Sequence, residues 1–86
     1  MNLIDIEHIH QQIGKNVAKF RKERNMSQLD LSLKLGHKSV SIVASAERFY
    51  KRKHFNIEHL IRIASILNIR HLAKLICIPQ QNHGQS

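Results

Sequence analysis

The sequence has one cysteine, one proline, one tyrosine, no tryptophan and three glycines. Its single thiol, Cys77, cannot close an internal disulfide, so the fold does not depend on an oxidising compartment. Apolar runs are a few residues long, against the roughly 20 that a spanning helix needs, so no membrane partner is expected. The opening MNLIDIEHIH is acidic and interrupted, unlike a secretory signal. No HExxH, CxxC or other metal-ligand spacing occurs, and His8 and His10 lie two apart, where helical side chains do not face one partner. No Gly-rich phosphate loop is present, and no motif aligns Ser, His and an acid as a triad. The chain is therefore expected to be no enzyme and to need neither metal nor cofactor.

Acidic residues are also scarce, 6 against 14 Lys and Arg, for a formal charge of +8. With 42% apolar and 23% charged residues the chain has the composition of a folded domain and not of a basic tail. Its 86 residues make one domain with a thin core. Residues 1–14 carry only Asp5 and Glu7, whereas residues 15–54 carry 11 basic and 3 acidic side chains. A positive field so concentrated attracts polyanions, nucleic acid above all. A merely well-solvated surface is the competing reading of the charge. An anionic membrane is disfavoured by the missing Trp and the lack of one long basic amphipathic helix.

Ile6, Ile9, Ile13, Val17 and Phe20 recur at helical spacing and predict a helix over 5–24, with Gly14 a possible break. Ser27 is a good N-cap for a helix over 28–35, which Gly36 ends. Leu29, Leu31, Leu33 and Leu35 alternate like a strand, but the chain offers no second strand to pair with. On a helix they form two stripes, both needing cover. Ser39 can cap a short helix to about Arg48, and FYKRKHF forms a basic loop over 49–55. Asn56 caps a helix over 57–67 whose expected core face is Ile57, Leu60, Ile61, Ala64 and Leu67, with Ile63 and Ile66 off it. A last helix is expected over 70–78, stopped by Pro79. Residues 79–86 read as a disordered polar tail.

A short helix, a Gly-containing turn and a second short helix form the helix-turn-helix unit. The strings IGKNVAKFRKERNMSQLDLSLKLG, Val43-x-x-Ala46-Glu47 and NIEHLIRIASILNI resemble the lambda-repressor-like, Xre-type helix-turn-helix family. The resemblance implies an all-α, five-helix domain over 13–78, with residues 1–12 as a helical N-terminal extension. It departs from the family in a turn one residue longer, at His37-Lys38-Ser39, and in a longer, more basic loop after Glu47.

The resemblance implies that Val40, Ser41 and Ser45 face base edges, from a reading helix over 39–47. That helix has no Arg, Lys, Asn or Gln for bidentate base contacts, so direct readout is expected to be weak. Phosphate contacts are expected from Ser27, Gln28, Lys38, Ser39, Arg48, Lys51, Arg52 and Lys53. Arg21 and Glu47 match the family's structural ion pair, with Arg24 as a competing partner.

The implied function is a cytoplasmic, sequence-specific regulator of transcription, commonly a repressor, bound to double-stranded DNA. Its length leaves no room for a ligand-sensing domain, so control would come through autoregulation, dimerisation or a protein partner. One short reading helix covers too few base pairs for a genomic site, so a homodimer is expected. Ile63, Ile66, Leu72, Leu75 and Ile76 are its expected interface, with Leu29 and Leu33 as the next surface. The rival functions are a protein-interaction module of the same fold, such as an antitoxin or adaptor, and a small RNA-binding protein.

Overall fold

A computed structural model describes residues 5–78; four N-terminal residues and the expected tail at 79–86 lie outside them. Five α-helices run in order: α1 (Ile6–Glu23), α2 (Gln28–Lys34), α3 (Ser41–Arg48), α4 (Ile57–Ile66) and α5 (Ala73–Ile76). A single 3-10 turn, Tyr50–Arg52, lies between α3 and α4. The fold is all-α, and no strand occurs among the described residues.

Helix α1 begins at Asp5, whose carboxylate accepts the backbone N–H groups of Glu7 and His8 at 3.1 and 3.2 Å. Glu7 in its first turn and Arg21 and Lys22 in its last both suit the helix dipole. Ile13 and Val17 are buried, Ile9 and Phe20 pack half-buried beside them, and Ile6 is exposed. Gly14 makes no break. A β-carbon there would lie 2.5 Å from the carbonyl oxygen of Glu47 and 2.7 Å from that of Ala46. The glycine lets α1 and the end of α3 meet backbone to backbone.

Helices α1, α2 and α4 stop in the same way, each at a residue in the left-handed region: Asn25 (φ 55°), Gly36 (φ 93°) and Asn68 (φ 58°). After each, an N–H reaches back to an orphan carbonyl: Met26 to Arg21 at 3.1 Å, His37 to Ser32 at 2.9 Å, Ile69 to Ala64 at 2.8 Å. These are Schellman closures, and Asn and Gly are the residues that enter this region at least cost.

Three expectations about the C-terminal half are corrected. In α4 the buried stripe is Leu60, Ile63, Ala64 and Leu67, while Ile57 and Ile61 are exposed. Ile63, expected in a dimer interface, is wholly buried in the core (0% exposed), and so is Leu75. Apolar residues occur on nearly every side of α4, so periodicity did not define which face turns inward. Helix α5 is also shorter than expected, four residues against nine. The side-chain amide of Asn16, buried on α1, donates to the carbonyls of Leu75 and Cys77 at 2.9 Å each. Those bonds hold the chain extended at Cys77 (ψ 135°) and end the helix there.

Gly14→Ala tests the closeness of α1 and α3. Alanine gains roughly 1 kcal/mol in helix propensity, but overpacking against two backbone carbonyls costs more. Urea unfolding should show a net loss of about 1–3 kcal/mol; an unchanged or higher midpoint would mean that the helices do not touch here.

Candidate nucleic-acid interface

Arg21 lies in the last turn of α1 and Glu47 in the last turn of α3. Arg21 Nε donates to Glu47 Oε2 at 2.8 Å and its NH2 to Oε1 at 3.0 Å. Its NH1 donates to the Met26 carbonyl at 2.8 Å, just before α2. The two side chains are 8% and 3% exposed, so this is a buried, bidentate pair whose donors and acceptors are used. Arg24 does not compete: it donates to the carbonyls of Leu67 and Phe20.

Gln28 completes this network. Its Nε2 donates to Glu47 Oε1 at 2.8 Å, which turns the amide inward and away from the phosphate role expected of it. The Ser27 hydroxyl is likewise engaged, accepting the N–H of Asp30 at 2.9 Å while Asp30 Oδ2 accepts that of Ser27 at 3.2 Å. The backbone N–H of Ser27, and after it the Ser27 hydroxyl, hold the Asp30 carboxyl below its ordinary range. A fixed carboxylate therefore stands at the start of α2, where a phosphate was expected.

Helix α3 opens later than expected. Its N-cap is Val40, with no side-chain cap, and Ser39 stands outside the helix. The Ser39 hydroxyl lies 2.8 Å from that of Ser41 and accepts the Ser41 N–H at 3.4 Å, a local turn bond. Val43, Ala46 and Glu47 point inward. Val40, Ser41, Ile42 and Arg48 are exposed and Ser45 is half-buried, so these form the outward side. Ile42 was not expected there; the strings carrying the family resemblance do not single it out. Lys38 is exposed in the preceding turn.

The loop after α3 carries Phe49, Lys51 and Arg52 in the left-handed region, at φ 56°, 52° and 65°. Non-glycine residues there cost on the order of 1 kcal/mol each, so surrounding contacts must hold them. Phe55 is buried and anchors the far end. The exposed Tyr50 ring has the Arg48 guanidinium and the Lys51 ammonium each 5.5 Å from its centre. From α1, Glu7 accepts a hydrogen bond from Arg52 NH1. His10 stacks on His54 with ring centres 3.8 Å apart, and Phe49 lies 6.1 Å from His10. The first turns of α1 thus hold the basic loop from behind. Neither Glu7 nor His10 was expected in this role, because no sequence spacing links residues 7 and 10 to 52 and 54. Lys51 and Lys53 are exposed, and Arg52 is already half-neutralised by its partner.

Among the described residues no group of three or more His, Cys, Asp or Glu side chains can hold a metal ion. No helix among them is long and apolar enough to cross a membrane.

Removal of either buried partner should strand the other charge. Arg21→Ala and Glu47→Ala should each lose about 3–5 kcal/mol in urea unfolding, and the double variant should lose clearly less than their sum. Strict additivity would mean that the two do not interact.

Burial, with the charges of His54 and Arg52, depresses the pKa of His10; burial, with His37, depresses that of His59. Their folded values lie below the ordinary 6.5, so the unfolded chain binds more protons across that interval. The stability they contribute is complete above 6.5 and is lost as pH falls through that value to the folded ones. The melting temperature should fall as pH drops below roughly 6.5, and less steeply in His10→Phe, which keeps the stack without the titration. An identical slope in that variant would remove His10 from the account.

The helix-turn-helix family model matches residues 17–75, more than half of the chain. No curated protein and no solved structure matches it. The matched span runs from the middle of α1 to the end of α5 and includes Arg21, Gln28 and Glu47. It leaves Glu7 and His10 outside. With five helices, α2 and α3 joined by a Gly-containing turn and Arg21 tying the two together, the chain belongs to the lambda-repressor-like, Xre-type helix-turn-helix family of DNA-binding domains.

Proposed function

We propose that the chain is a sequence-specific regulator of transcription that lays α3 in the major groove of duplex DNA and represses by occupying the site. The observation that carries this reading is one of placement. The outward side of α3 ends at Arg48 and continues directly into the exposed cations of the loop, so a base-facing surface and a phosphate-facing surface adjoin. Val40, Ser41 and Ser45 take base edges. Lys38, Ser39, Arg48, Lys51 and Lys53 take phosphates, with Arg52 contributing less because Glu7 shares its charge. Ser27 and Gln28 serve the reading helix indirectly, through the cap of α2 and the hold on Glu47.

The working unit is a homodimer. With Ile63 and Leu75 in the core, the apolar side chains left for it at the C-terminal end are the exposed Ile76 and Ile78 with the half-buried Leu72 and Ile66. A second reading, a protein-binding module of the same fold, is favoured by the exposed pairs Leu29 and Leu33 on α2 and Ile57 and Ile61 on α4. Four apolar residues on two outward faces are surface that a partner would cover.

Selection of duplexes from a random pool, followed by titration at two salt concentrations, separates the readings. An enriched two-fold symmetric sequence, two chains per duplex by sedimentation, and a log–log salt slope of about −0.9 per neutralised phosphate are expected. Lys53→Ala should weaken enriched and random duplexes alike. Glu7→Gln should strengthen both, because it frees Arg52 and removes a negative charge. Equal affinity of Lys53→Ala and the wild type for random duplex would overturn the phosphate role of the loop. A pool without enrichment, or tighter binding of structured RNA, would overturn the function.

A further inference from the structure

Between α3 and the basic loop lies a concavity of about 330 Å³, lined by Ile42, Ala46, Arg52, Lys53 and His54. Its two halves differ in chemistry. Ile42 and Ala46 make an apolar floor with no donor or acceptor. Arg52, Lys53 and His54 make a rim of cations and an imidazole. Ile42 is 42% exposed, the large apolar side chain that α3 leaves uncovered beyond its N-cap.

We infer that this concavity is a thymine-nucleotide site. The inference rests on the DNA-binding reading above and names what that reading leaves open. In the major groove every base edge is polar except for one group, the 5-methyl of thymine. A floor of Ile42 and Ala46 has no means of satisfying the N7, O6, O4 or amino groups of the other edges. The methyl is the base-edge group that fills such a floor: its burial leaves no polar group unpaired, and the C5–H that cytosine carries in its place projects too little to reach as much apolar surface. The rim supplies what the same nucleotide strand carries beside the base, a phosphate, which Lys53 and the free edge of Arg52 face with complementary charge. One strand segment thereby fills both halves.

The walls are preset. Ala46 is backed by Gly14, whose missing side chain lets α1 fix the backbone at that point. His54 is held by its stack on His10 and by the bond between its Nδ1 and the Arg52 carbonyl, 3.0 Å. Arg52 is held by Glu7. Such a site distinguishes DNA from RNA by the base itself, since uracil lacks the methyl. It also supplies specificity that Ser41 and Ser45 do not, because a serine hydroxyl bonds to several bases.

The test uses the duplex enriched by selection. Each thymine is replaced in turn by deoxyuridine, and Kd is measured for the wild type, Ile42→Ala and Ile42→Val. At one thymine per half-site, deoxyuridine should weaken the wild type about three- to fivefold, the worth of one buried methyl. Ile42→Ala should bind the thymine duplex more weakly and show no further loss with deoxyuridine at that position. Ile42→Val should show an intermediate response. If Ile42→Ala does not fold, the wild-type and Ile42→Val series decide the matter. An enriched duplex in which every deoxyuridine is tolerated by the wild type, or in which Ile42→Ala responds like the wild type, overturns the thymine site and leaves the DNA-binding reading standing. Failure to enrich any duplex overturns both.

Discussion

Everything that presents the reading helix depends on where Glu47 is held. Its carboxylate takes two hydrogen bonds from Arg21 and one from Gln28, and Arg21 also takes the Met26 carbonyl. One buried anion thereby ties the end of α1, the turn before α2, the start of α2 and the end of α3. A buried ion pair is weak evidence for stability, because desolvation offsets most of its attraction. Its value here is directional. Planar, bidentate contacts allow one orientation of the partners, and that orientation sets the side of α3 that faces outward. Gly14 adds the second constraint, a backbone-to-backbone approach at the same end of α3.

A formal charge of +8 says that the domain attracts polyanions but not how it grips them. The structure separates cations that support the fold from those turned outward. Arg21 is buried and Arg24 caps the end of α4 through the Leu67 carbonyl. Arg62 lies near the Leu35 carbonyl, at 3.4 Å, and so belongs to the packing of α4 on α2. Arg48, Lys51 and Lys53 have no carboxylate partner among the described residues and are gathered at the end of α3 and on the loop that follows it. Lys15, Lys19, Lys22, Lys34, Lys38, Arg70 and Lys74 are exposed as well, so the outward charge is broad, and its densest run is the one that follows α3.

Much of the architecture was legible in the residues. The stripe through Ile13 and Val17 gave α1, the caps Ser27 and Asn56 gave the starts of α2 and α4, and Gly36 gave the end of α2. The phase of α4 was not legible, because isoleucines surround its axis and only packing chooses among them. Nor was the length of α5, which is set by Asn16, a polar residue 59 positions away from the carbonyl it meets. At the candidate site the place of α3 was legible from the family pattern, and the loop cations from the run of Lys and Arg that departs from it. The inward turn of Gln28, the pairing of Glu7 with Arg52 and the exposure of Ile42 are tertiary facts, and no spacing in the chain announces them.

The contact between the first turns of α1 and the basic loop bears on how portable the domain is. The family match begins at residue 17, ten residues after Glu7 and seven after His10. The hydrophobic core and the Arg21 network lie within or close to the matched span. The shape of the loop, with Phe49, Lys51 and Arg52 in left-handed conformations, leans on residues before it. A graft of the matched span alone into another protein would transfer α3 and lose the contacts that shape the loop after it. In this chain the portion least typical of the family is the portion that shapes the basic loop.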